Sequence, residues 1–207
     1  MRRTIRPILV IALSLTLAAC GMFGNKSAVT SDDMNLGDPS AKVTVVEYAS
    51  VACPHCARFN NEVFPSFKAK YIDTNKIHYV FREMLVGDSA EVTTAAAGFL
   101  LARCAGKDKY FSVVDAIFRD QEQMFKSGDV RGTLQQIAQA AGIGPDQFNS
   151  CINDDTALKA LNDRVQRYEN DDHIEATPTF VINGKKLEGE QTLSTLDTAI
   201  AAAQNGH

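Results

Sequence analysis

Apolar and polar positions change their spacing along the chain, and each change marks an element. Val43 to Tyr48 (VTVVEY) is a β-branched run of the kind that forms a buried strand. Cys53 to Tyr71 then sets Phe59, Val63, Phe67 and Tyr71 at helical spacing, one apolar stripe on a helix that Pro65 must kink or divide. Ile77 to Phe81 (IHYVF) predicts a second strand, and Asp88-Ser-Ala-Glu91 has the form of a capping box opening a helix to about Cys104. Four helical stretches follow. Asp108 to Met124 carries Phe111, Val114 and Phe118; Val130 to Ala141 carries Leu134 and Ile137; Pro145 opens a short one with Phe148 and Cys151; Thr156 to Tyr168 carries Leu161 and Val165. Thr179 to Ile182 reads as a strand, Asn183-Gly184 as a hairpin turn and Lys185 to Glu188 as its partner. Thr192 opens a last helix with Leu193, Leu196 and Ile200 on one side.

This order predicts an α/β fold. Two strands before and a hairpin after make a four-stranded sheet, the first helix crosses between the first two strands, and residues 87–171 form an inserted α-helical lobe. With 207 residues, 45% hydrophobic and 22% charged, the chain has the size of one domain carrying an insertion. Its net charge is −4 and it shows no Lys/Arg-rich stripe, so nucleic acid is not an expected partner.

The first residues read as an address. Arg2, Arg3 and Arg6 precede an apolar run from Pro7 to Ala19, interrupted only by Ser14 and Thr16. A membrane-spanning helix needs about 20 apolar residues, so these 13 are a signal-peptide core. Leu17-Ala18-Ala19-Cys20 resembles the bacterial lipobox, in which the cysteine is lipidated and becomes the first residue; the plainer alternative is an ordinary signal peptide with Cys20 incidental. The expected organisation is a signal peptide at 1–19, a polar lipidated tether at 20–40, the α/β domain at 41–86 and 172–207, and the lobe between. Loss of the three arginines would leave 18 basic against 25 acidic residues, a net charge of −7. Export places the protein in the bacterial cell envelope, on the periplasmic side, where disulfides persist.

That setting decides how Cys53-Pro54-His55-Cys56 is read. The pair sits where a strand gives way to a helix, and unpaired N–H groups at the helix start favour a negative charge. A thiolate is therefore stabilised at Cys53, with its pKa below the free-thiol value. Pro54 suits the first helical turn because its missing N–H costs nothing there. His55, protonated or donating a hydrogen bond, favours the thiolate further. A stabilised thiolate makes the disulfide eager to take electrons. Zinc would need two more ligands at suitable spacing, and covalent haem would need a histidine where Ala57 stands, so no metal and no cofactor is expected. A purely structural bridge would close too small a loop to constrain the unfolded chain much.

With Cys53-Pro54-His55-Cys56, with Thr177-Pro178 just before a strand, and with the helical insertion, residues 41–204 resemble the DsbA-like thiol–disulfide oxidoreductases of the thioredoxin superfamily. The resemblance implies a thioredoxin fold with an inserted α-helical lobe. It makes Cys53 the attacking sulfur, Cys56 the buried resolving partner, and Pro178 a cis-proline beside the disulfide that leaves backbone groups free to pair with an extended substrate. Glu47, six residues before Cys53, matches a buried acid that moves protons at the resolving cysteine; the alternative is an exposed strand-end carboxylate. Thr177 stands where many DsbA oxidases carry valine, and its hydroxyl bears on the redox poise. The implied partners are reduced or unfolded exported proteins and a membrane quinone-linked protein that reoxidises the pair, the chain acting as a monomer on its lipid anchor. An isomerase or reductase of the same fold is the first alternative, and a peptide-binding or chaperone lipoprotein with an idle redox pair the second.

Cys104 and Cys151 lie on apolar helix stripes and in an oxidising compartment are expected to bridge, closing a 48-residue loop; two buried free thiols are the alternative. His78, His173 and His207 are expected to be structural or solvated, with His173 the nearest of them to the Thr177-Pro178 loop.

Overall fold

The computed structural model describes residues 29–206; the signal peptide, Cys20, the first part of the tether and His207 lie outside the described residues. Strands β1 (Met34–Gly37), β2 (Thr44–Ala49), β3 (His78–Glu83), β4 (Thr179–Ile182) and β5 (Lys185–Glu188) form one sheet in the order β1-β3-β2-β4-β5. Only β2 and β3 run parallel, with Thr44 opposite His78 and Ala49 opposite Glu83, and the other neighbours are antiparallel. The C-terminal ends of β2 and β3 therefore lie side by side, and both chains leave the sheet at the same end. Every β3 residue is buried, as are five of the six in β2, which is why their sequences read as runs and not as alternation.

The sheet has five strands where four were expected. Residues 34–37, assigned from sequence to the tether, add an edge strand antiparallel to β3. Four residues (MNLG) are too few to display a period of two, and the strand is held from outside: Met34 is buried in the core, and Asp33 before it is fixed by the guanidinium of Arg82. The β4–β5 turn matches its sequence signal, with Asn183 and Gly184 both at positive φ, 46° and 91°. Asn183 also accepts from the Thr44 N–H and donates to the Lys42 carbonyl, which closes the hairpin onto β2.

The first helix is not one regular helix. It runs as α1 (Pro54–Arg58), a π-helical turn (Phe59–Val63), α2 (Phe64–Phe67) and a second π turn (Lys68–Ile72). Pro65 supplies no N–H to the ladder, and the wider turn before it absorbs the gap. Phe59, Phe64 and Phe67 still face the sheet, with Phe59 4.7 Å from Phe180 and Phe64 5.3 Å from Tyr79 between ring centres.

The lobe comprises α3 (Ser89–Cys104), α4 (Lys107–Ser127), α5 (Val130–Ala140), α6 (Pro145–Ile152) and α7 (Asp155–Asp171), and α8 (Leu193–Gln204) returns to the sheet. Asp88 and Glu91 form the reciprocal capping box read from the sequence. Cys104 at the end of α3 is disulfide-bonded to Cys151 in α6.

Lobe and sheet share one core, crossed by a buried ionic cluster. Arg82 donates to both oxygens of Asp33, to Asp172 and to the Tyr48 hydroxyl, and its guanidinium lies over the rings of Tyr48 and Tyr168. Beside it, Glu83 accepts from Arg103, Arg164 and Tyr110, one residue from each of α3, α7 and α4. None of the described helices is long and apolar enough to cross a membrane.

Candidate active site

The β2 strand ends at Ala49, and four residues of loop carry the chain to Pro54 at the first position of α1. Cys53 occupies the N-cap in extended conformation, its N–H donating to the Ser50 carbonyl at 3.0 Å and its carbonyl accepting from Ala57 at 3.1 Å. Both sulfurs are free thiols. Cys53 keeps 8% of its surface exposed, whereas Cys56, one turn into the helix, keeps none.

The two sulfurs differ in acidity for reasons visible in their neighbours. A hydrogen bond from the Cys56 thiol does most to stabilise the Cys53 thiolate, burial opposes it, and the Thr177 side chain and the backbone N–H groups of Cys56 and His55 add to it; the outcome is a pKa lowered to about 5. Cys56 moves the other way: burial disfavours its charge, the thiolate at Cys53 repels it, and Glu47 adds to the repulsion. One sulfur is thus charged at neutral pH and the other holds its proton.

The Thr177–Pro178 peptide bond is cis. Thr177 follows the loop that leaves α7, and its carbonyl oxygen lies 3.4 Å from Cys53 Sγ. The residue at the position where the resemblance notes threonine instead of valine is therefore in contact with the Cys53 sulfur.

Glu47 lies in the middle of β2, 2% exposed, and not at an exposed strand end. Burial raises its pKa to about 7, and the hydroxyl of Tyr79, donating to Glu47 Oε2 at 2.6 Å, holds it from rising further. Tyr79 is itself buried among Phe64, Phe67 and Phe111.

His55 is arranged differently from the expectation. Its ring, 60% exposed, points to Glu190, with Nδ1 3.2 Å from Oε2, and Arg58 donates to the same oxygen at 2.9 Å. What His55 offers the Cys53 thiolate is its backbone N–H. His173 is exposed in a left-handed turn and contributes its carbonyl to Lys186. His78 is buried on β3 with Nε2 lacking a hydrogen-bond partner. Among the described residues no three His, Cys, Asp or Glu side chains gather as a metal site would require.

Three residues that touch this constellation escaped the sequence reading. Tyr79 falls within the predicted strand Ile77 to Phe81 with nothing to set it apart, and Glu190 belongs to a loop with no pattern of its own. Gln121 had a usable signal: it is a polar residue three positions beyond Phe118, on the apolar stripe of α4.

The match to known proteins extends along the described chain. A family model described as thioredoxin covers residues 29–202. A protein of Rickettsia bellii named as a protein-disulfide oxidoreductase is 34% identical over 181 residues, 86% of this chain and 68% of its own length. A protein of the same description from Rickettsia conorii is 36% identical over 176 residues, covering 84% of this chain and 61% of its own, so this chain spans only about two thirds of these relatives. Among solved structures, Wolbachia pipientis alpha-DsbA1 superposes with a TM-score of 0.77 at 30% identity, over 86% of this chain and 94% of that one. By sequence, sheet topology and the placement of its cysteine pair, the chain belongs to the thioredoxin superfamily, among the DsbA-like protein-disulfide oxidoreductases.

Proposed function

We propose that this protein is the oxidising member of such a system: it passes the Cys53–Cys56 disulfide to reduced, partly unfolded proteins exported to the cell envelope. The opposed acidities of the two sulfurs carry this reading. A substrate thiolate attacks Cys53 Sγ, the Cys53–Cys56 bond breaks, and Cys56 leaves with the electron pair. Glu47, still protonated in part near neutral pH, supplies the proton that Cys56 takes up. A second substrate thiolate then attacks the substrate sulfur of the mixed disulfide and expels Cys53, a good leaving group because its thiolate is stable. The substrate gains one disulfide, and the protein keeps two electrons as a Cys53 thiolate and a Cys56 thiol. The Thr177–Pro178 loop lies against the attacked sulfur, where an extended substrate would pair with its backbone. A quinone-linked membrane protein returns the pair to the disulfide, and a lipid on Cys20 keeps the protein near that partner.

The test is the redox equilibrium of the purified full chain against glutathione. An oxidase of this kind settles near about −120 mV, the range of strongly oxidising members of the family. A value at or below about −180 mV assigns an isomerase or reductase instead. Absence of reversible exchange would remove the redox reading and leave a peptide-binding lipoprotein.

A further inference from the structure

Gln121 lies in the middle of α4, in the lobe, and is 3% exposed. Its side-chain amide nitrogen donates to the Val51 carbonyl at 2.7 Å and to the Cys53 carbonyl at 3.2 Å, across 70 and 68 residues of sequence. An amide nitrogen carries two hydrogens, so both donors are spent on the loop that ends at the nucleophile. The Cys53 carbonyl it holds is the one that accepts the first helical hydrogen bond, from Ala57. The lobe also closes on this loop from a second helix: at Gly98 in α3, a Cβ atom would stand 3.0 Å from Val51 Cγ2. No other polar side chain of α4 is buried among the apolar positions of that helix except the tyrosine hydroxyl committed to Glu83.

We infer that Gln121 is a positioning residue for the disulfide exchange: it fixes the Val51–Cys53 loop so that the Cys53 thiolate stays among its hydrogen-bond donors, and so couples packing of the lobe to the redox poise of the pair. In the oxidised form the covalent bond to Cys56 holds Cys53 in place. In the reduced form that constraint is gone, and the sulfur stays aligned with the Cys56 thiol, the Thr177 side chain and the N–H groups of the helix start only while the loop is held. Removing Gln121 therefore costs the reduced form more than the oxidised form. The inference rests on the redox role proposed for Cys53.

The experiment compares the wild-type full chain with Gln121→Met, which keeps the volume and removes both donors. Three quantities are read: the ionisation midpoint of Cys53 by thiolate absorbance, the equilibrium constant against glutathione, and the denaturant stability of each redox form. The expected result is a midpoint above the wild-type value near 5, with the disulfide about threefold or more weaker as an oxidant of glutathione and the reduced form losing more stability than the oxidised. Equal destabilisation of both forms, with the midpoint and the equilibrium constant unchanged, would show a purely structural residue and overturn the inference. If Gln121→Met does not fold, Gln121→Asn, which keeps the amide but is one methylene too short to reach both carbonyls, is read in the same way. Wild-type protein that shows no reversible exchange removes the redox role itself, and this inference with it.

Discussion

At the scale of single residues, the acid beneath the cysteines makes the sharpest prediction. Glu47 has a folded pKa of about 7 against an ordinary 4.5. A carboxyl raised in this way leaves stability intact below 4.5 and withdraws it as pH rises through 7, because the fold then has to bury a charge. Glu47→Gln, which can still accept from the Tyr79 hydroxyl, is expected to match wild type in denaturant unfolding below pH 4.5. Above pH 7 it should be more stable by on the order of 3 kcal/mol, while its disulfide exchange slows. Tyr79→Phe removes the one hydrogen bond that restrains this pKa, so the pH-dependent limb of exchange should move upward. Unchanged pH profiles in both variants would take Glu47 out of the proton path. The family resemblance pointed to Glu47, six residues before Cys53; nothing in the sequence pointed to Tyr79, since its hydroxyl matters only through a carboxyl 32 residues away.

Elements defined by local chemistry were legible, and those defined by partners were not. The capping box at Asp88, the Asn183-Gly184 turn and Pro145 at a helix start each work within a few residues of chain, and each appears where the pattern put it. Strand β1 and the two π turns have no such local signature. The strand exists because Met34 and Asp33 find β3 and Arg82, and the π turns accommodate Pro65 while Phe59 and Phe67 remain on the sheet. The disulfide between α3 and α6 is an element-level staple, and its contribution follows from the 47-residue separation of its cysteines. Replacing both Cys104 and Cys151 by Ala should lower unfolding stability by up to about 4 kcal/mol, read from denaturant midpoints without reductant. Coincident midpoints would show that the bridge adds nothing to the fold.

Across the whole molecule, the Arg82 cluster joins the segment before β1, the sheet and the end of α7. Asp33 and Asp172 are compensated there by a guanidinium that water barely reaches. Arg82→Met should therefore cost about 3–5 kcal/mol, because it strands buried carboxylates and does not merely remove a contact. A chain begun at Asp38 should lose comparable stability by deleting Asp33 and β1 together, and a thermal melt unchanged in either would contradict the clamp. The α/β order, the inserted helices, the caps and turns, and the expectation of thiol chemistry at Cys53-Pro54-His55-Cys56 were legible in the chain alone, because strand and helix periodicity and helix-start electrostatics act over a few residues. Tertiary structure alone decided the fifth strand, the pairing of His55 with Glu190, the Tyr79 hydrogen bond to Glu47 and the hold of Gln121 on the active-site loop. All of them need groups that meet across tens of residues; the His55–Glu190 pair stays open to water, whereas the others join desolvated polar groups whose contacts gain their strength only once burial has excluded water.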